Sequence, residues 1–114
     1  MEKIKKKKCV PCLGAEKPLK GNQLQHFQDQ LDENWQIVGE HHLEKTYKCK
    51  NFKEALAFVN DVGHIAEEEQ HHPDMELSWN KVKLLIWTHK IDGLTENDFI
   101  LAAKCDAAFI GRFG

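Results

Sequence analysis

The chain has 114 residues, 41% hydrophobic and 30% charged, with a formal net charge of −2. That size suits one domain, and the composition excludes a disordered chain. Apolar stretches run only a few residues, which excludes a membrane-spanning helix of about 20 residues.

Residues 1–18 read as an N-terminal arm. Lys3, Lys5, Lys6, Lys7 and Lys8 against Glu2 give residues 1–8 a net charge of +4 and leave −6 on the rest. A basic tail on an acidic body puts no basic stripe into the folded part, so no specific nucleic-acid partner is expected. The tail itself is expected to be solvated. No apolar segment follows the lysines, so they do not read as a secretory signal. The cysteines are then expected to be reduced and the protein cytoplasmic. Cys9 and Cys12 form a C-x-x-C, half a zinc site, but Cys49 and Cys105 supply no second pair at ligand spacing. A plain N-terminal turn is expected there, with a shared metal or redox role as the alternative.

Residues 19–114 read as a single domain. Leu24, Phe27 and Leu31 lie on one face of a first helix, weakened at its start by Gly21. Trp35 to Val38 is a short strand ended by Gly39. Leu43 to Cys49 alternates as a second strand, giving a hairpin through residues 39–42. Phe52, Ala55, Val59, Val62 and Ala66 then recur at helical steps, with Leu56, Phe58 and Ile65 widening the stripe. Pro73 disfavours helix at His72, so this helix is expected to end near His71. Met75 to Trp79 is extended, and Lys81 to His89 alternates as a long strand. Asn80 between them offers no glycine, so one bulged strand and two strands with a tight turn both fit. Asp92-Gly93 marks a turn. Thr95 opens the last helix, with Asp98 three residues on in a capping-box-like arrangement. Phe99, Ala102, Ala103, Ala107 and Ile110 are its expected buried face. The order gives an α+β domain with helices on an antiparallel sheet. An open sheet edge would invite a second copy, so a homo-oligomer is expected.

The chemistry concentrates in Glu67-Glu68-Glu69-Gln70-His71-His72-Pro73-Asp74. Pro73 fixes the backbone beside two adjacent imidazoles. Glu67 precedes His71 by four residues, within reach if the last turn stays helical. Three acidic residues at a helix C-terminus oppose its dipole, which favours a role for at least one. His89 shares a strand face with Leu85 and Trp87 and is expected at the rim of an apolar surface. Three converging histidines suit general acid–base work near neutral pH. Adjacent histidines chelate one ion poorly and no fourth ligand is evident, so no metal is expected. The second pair, His41-His42, reads as a solvated turn.

The run Glu67-x3-His71-His72-Pro73-x5-Trp79-x9-His89-x8-Asp98 resembles the signature of the pterin-4a-carbinolamine dehydratases. Asn80-Lys81-Val82, Thr88-His89, Gly93-Leu94-Thr95-Glu96-x-Asp98-Phe99 and Phe52-x-x-Ala55-x-x-Phe58-Val59 are similar to the same family. Cys9-Val10-Pro11-Cys12 is similar to the N-terminal arm of bacterial members. The resemblance implies an α-β-β-α-β-β-α domain with three helices on one face of a four-stranded antiparallel sheet. It also implies homodimers or homotetramers. The implied reaction removes water from 4a-hydroxytetrahydropterin to give quinonoid dihydropterin, recycling the cofactor of an aromatic amino acid hydroxylase. Pterin is then substrate, and no cofactor is expected. By resemblance His71 and His89 are acid and base, and His72 positions the pterin. Glu67 orients a histidine, Pro73 is a geometric element, and Trp79 is core or pocket wall. Asp98 completes the signature or merely opens the last helix. Met75 and Glu76 depart from the aromatic residues of animal members. The alternatives are a non-catalytic dimerisation or regulatory module, or a pterin-binding protein linked to molybdenum cofactor metabolism.

Overall fold

The computed structural model describes residues 2–9 and 17–113. Its strands are β1 (Gln36–Val38), β2 (His42–Lys48), β3 (Asp74–Ser78) and β4 (Lys81–Ile86). Its α-helices are α1 (Glu2–Lys6), α2 (Asn22–Gln28), α3 (Phe52–Glu69) and α4 (Glu96–Phe113). All pairings are antiparallel, in the order β1-β2-β4-β3. This is the expected α+β architecture, with one helix more than expected. No helix among the described residues is long and apolar enough to cross a membrane.

Alternation along the central strands builds the core. Leu43 pairs with Ile86 and Tyr47 with Val82, and all four are buried with Leu84 on one face. The other face carries polar pairs such as Lys83 with Glu44. The α3 stripe is narrower than its sequence suggested. Ala55, Phe58, Val62, Ala66 and Glu69 are buried, whereas Phe52 and Leu56 are exposed. The inward line therefore runs through Ala55, and residues on its flanks stay wet. Asn51 caps α3 by accepting the Glu54 N–H at 2.9 Å. In α4 every residue from Asn97 to Ala103 is buried, while Ile110 is exposed. The first half of α4 is covered on all sides; its last turns pack only one side on the core, through Phe109 and Phe113.

The lysine run is not a solvated tail. Ile4, set among the lysines, is 2% exposed within the core, and α1 packs along α4. One apolar residue in five gives that helix a buried side, while Lys6 stays exposed.

Two turns, one at each end of β4, fix how the strand is joined to its neighbours. Trp79-Asn80 is a two-residue hairpin turn between the paired Ser78 and Lys81, with Trp79 at φ 48°. Asn80 ties this turn to the chain before α3: its side-chain amide donates to the Cys49 carbonyl at 3.2 Å, and the Cys49 N–H donates to its carbonyl. The second turn follows β4. The strand stops at Ile86, Thr88 bridges to Gly93, and His89–Ile91 form a 3₁₀ turn. His89 therefore opens this turn and does not extend the strand as expected. Gly93 packs against Pro18: a Cβ there would lie 2.7 Å from the proline Cβ. The Leu19 N–H donates to the Leu94 carbonyl at 2.8 Å, which holds Pro18 in place. Gly93→Ala should therefore cost about 1–3 kcal/mol by overpacking. Thermal unfolding would read this as a fall of several degrees; an unchanged Tm would show that Pro18 yields freely.

Candidate active site

The β3–β4 hairpin brings the histidines together. Asp74 pairs with Leu85, so the residues before Asp74 lie opposite those after Leu85. His71, His72, Trp87, Thr88 and His89 accordingly line one cleft of about 490 Å³. Lys8, Cys9, Glu68, Glu69, Gln70 and Lys90 complete its wall.

The end of α3 sets the angle between the two adjacent histidines. Gln70 is left-handed at φ 56°, and the His71 N–H donates to the Ala66 carbonyl. The helix therefore stops at Glu69, and the chain turns before His71. That turn corrects one expectation. Glu67 does not reach His71; its Oε2 lies 2.6 Å from His72 Nε2 at an exposed position. His71 swings the other way, its Nε2 sitting 2.6 Å from Asp98 Oδ1.

Asp98 is fully buried, and three donors converge on it. The Thr88 hydroxyl and the Thr95 N–H donate to Oδ2 at 2.9 and 2.8 Å, and His71 occupies Oδ1. Asp98 therefore closes the first turn of α4 and, with its other oxygen, holds the His71 ring. Burial is tolerable because every approach is a hydrogen bond. His71 is mostly enclosed, at 13% side-chain exposure, whereas His72 and His89 are each 56% exposed. The His89 ring stands edge-on to Trp87, centroids 4.3 Å apart, with Asp74 Oδ1 3.9 Å from its Nε2.

The family profile for pterin 4 alpha carbinolamine dehydratase matches residues 17–108. The chain belongs to that family. It is 51% identical over 106 residues to a protein of Alkaliphilus metalliredigens provisionally named a pterin-4-alpha-carbinolamine dehydratase, covering 93% of this chain and 96% of that one. The crystal structure of a transcriptional coactivator/pterin dehydratase from Brucella melitensis superposes with a TM-score of 0.74 at 31% identity, over 79% of this chain and 96% of the other. A pterin dehydratase-like protein described as a RuBisCO assembly factor in the alpha-carboxysome matches at a TM-score of 0.57 and 21% identity, over 65% and 87%. That last likeness shows the shared fold alone.

Within this dehydratase-family cleft, not every signature residue meets. Pro73 sits between the two histidines and β3, where its fixed φ sets the entry to the strand. Trp79 is neither core nor pocket wall. It is 67% exposed in the hairpin turn, at the other end of β3, roughly 15 Å of strand from Asp74. Met75 and Glu76 lie on β3 and do not line the cleft. The His41-His42 pair is not a solvated turn. Both rings pack on Trp87, and His41 Nε2 sits 2.7 Å from Asp92 Oδ1. They buttress Trp87, the ring that His89 leans on. Thr88 as a partner of Asp98 was not expected; its place after an apolar strand and before His89 was the available signal.

Cys12 lies outside the described residues. Cys9 lines the cleft half-buried, its thiol within 3.5 Å of the Asn97 carbonyl. Burial first, then the Glu69 and Asp98 charges, push the Cys9 thiol up to about 12. A thiol held protonated is a poor nucleophile. Among the described residues no group of three His, Cys, Asp or Glu could hold a metal ion.

Proposed function

We propose that the cleft dehydrates a pterin-4a-carbinolamine by general acid–base catalysis on His71 and His89, with His72 positioning the ring. The observation that carries this reading is the meeting of three histidines in one cleft, one of them held by a buried carboxylate. The chemistry fits those groups. The C4a hydroxyl takes a proton and leaves as water. N5 gives up its proton, and its electron pair forms the C4a=N5 double bond. Electrons balance without any redox partner, so no cofactor is required.

With Asp98 as acceptor, His71 donates through Nε2–H, which leaves Nδ1 to exchange the reaction's proton. His89 is open to solvent and can recharge from water. Trp87 offers an aromatic surface beside both for a flat heterocycle. The physiological role would be recycling of the cofactor released by an aromatic amino acid hydroxylase. A homo-oligomer also fits: β3 is an edge strand exposed along its length, with Met75, Leu77 and Trp79 on or beside it.

The test is stopped-flow dehydration of 4a-hydroxytetrahydropterin generated by an aromatic hydroxylase, on protein whose assembly is fixed by sedimentation. Water loss well above the spontaneous rate is expected. Folded, assembled protein giving no acceleration would reject the catalytic reading. It would leave the fold in a binding or assembly role, or in molybdenum cofactor metabolism.

A further inference from the structure

The cleft has a wall that the family signature does not include. Lys8 and Cys9 line it, and both belong to the segment that begins in α1. Five separate ties hold that segment. Ile4 is sunk in the core. The Lys104 ammonium donates to the Lys5 carbonyl at 2.7 Å, and the Lys7 ammonium to Glu96 at 2.6 Å. The Cys9 N–H donates to Glu69 Oε1 at 2.9 Å, while its thiol meets the Asn97 carbonyl.

The two ends of this strap are placed with consequence. Glu69 precedes His71 by two residues, and Asn97 directly precedes Asp98. The segment therefore bridges the end of α3 and the start of α4, along the side of the cleft that Lys8 and Cys9 line. Glu69 itself stands where a carboxylate is disfavoured. Buried at a helix C-terminus, it opposes the dipole and loses hydration. Here it is compensated by the Cys9 N–H and by Lys104 at 3.7 Å. Both compensations concern the strap, because Lys104 also holds Lys5.

We propose that residues 4–9 form a docked wall of the pterin cleft and that Glu69 is the positioning residue that locks it there. This rests on reading the cleft as the pterin site. Glu69 lines the cleft beside Lys8 and Cys9 and holds them in place, so that all three would bound the pterin ring. Its loss should open the cleft and weaken substrate binding more than the chemical step.

The experiment compares wild type, Glu69→Ala, Glu69→Gln and Ile4→Ser. It measures dehydration kinetics, biopterin binding by fluorescence quenching, and hydrogen exchange at the Cys9 amide. Glu69→Ala should raise KM and the biopterin Kd about tenfold, with kcat within about twofold. Exchange at Cys9 should quicken at least tenfold as its acceptor goes. Glu69→Gln keeps an acceptor oxygen and should restore most of the wild-type KM. Ile4 itself does not line the cleft, so Ile4→Ser loosens the Lys8–Cys9 wall while leaving Glu69 intact and should copy the KM effect, which covers the case of a Glu69→Ala protein that fails to fold. A quickened Cys9 amide with unchanged KM and Kd would overturn the wall while leaving the dehydratase reading intact. So would a fall in kcat equal to the rise in KM. A wild type that neither binds biopterin nor accelerates dehydration would overturn the cleft reading, and the wall's pterin role with it.

Discussion

His71→Ala should lower kcat/KM by about 10²- to 10⁴-fold, the usual share of a positioned acid or base. In practice the rate should fall toward the spontaneous one. Of the three cleft imidazoles His71 is the one fixed by a buried partner and sheltered from water. A fixed ring needs no reorientation before it exchanges a proton, so its removal forfeits the geometric advantage together with the proton. Asp98→Asn probes the same point from behind. An amide can accept the Thr95 N–H, so α4 keeps its start, yet it cannot offer an anion to His71 as well. About 10- to 100-fold loss is expected, with the pH–rate profile displaced relative to wild type. A merely structural Asp98 would lower Tm and leave that profile in place. His89→Ala should lower kcat, while His72→Ala should mainly raise KM, since Glu67 ties that ring at the exposed rim. Full turnover in His71→Ala would remove the acid–base assignment.

Much of this arrangement was legible in the chain. The α3 period, the alternation of Val82, Leu84 and Ile86, and the Asp92-Gly93 turn each reflect a local rule, and each appears where expected. The residues that misled obey rules with no local sign. Trp79 takes a left-handed conformation usual for Gly or Asn, so the residues alone leave a bulged strand and a tight turn both open, and only the family resemblance favours two strands. Once that turn is known, the Asp74–Leu85 register follows and the histidines must meet. Likewise, helical spacing joins Glu67 to His71 only while the helix lasts. Left-handed Gln70 ends it at Glu69, two residues short of His71, and hands Glu67 to His72. Ile4 among lysines shows the same limit: one apolar side chain carries no period, so its burial is a tertiary fact.

Asp106→Ala should remove about 3–5 kcal/mol of stability, a large part of what a domain of this size has. The cluster lies apart from the cleft, on the inner side of α4. Asp106 Oδ2 accepts the Trp35 indole N–H at 2.8 Å, and Oδ1 accepts the Lys45 ammonium at 2.8 Å and the Tyr47 hydroxyl. Trp35 and Tyr47 are buried, and Lys45 sits over the Tyr47 ring, 4.6 Å from its centroid, at 11% side-chain exposure. Alanine would strand two neutral donors and a nearly buried cation, leaving Asp32 at 3.9 Å as Lys45's remaining anion. Asp106→Asn retains acceptor oxygen and should lose less. The cluster also sets an alkaline limit. Burial, and then the Asp106 charge, hold the Tyr47 phenol far above its usual range. The folded protein keeps that proton while the unfolded chain releases it near pH 10, so Tyr47's contribution is whole below that pH and fades above it. Urea unfolding of wild type and both variants at pH 7 and pH 10.5 reads all three effects. A loss below about 1 kcal/mol in Asp106→Ala at pH 7 would mean that water enters and replaces the carboxylate. Because Asp106 belongs to α4 eight residues after Asp98, folded Asp106→Asn protein should keep the wild-type dehydration rate proposed for the cleft below its lowered Tm. Stability and chemistry would then separate along one helix.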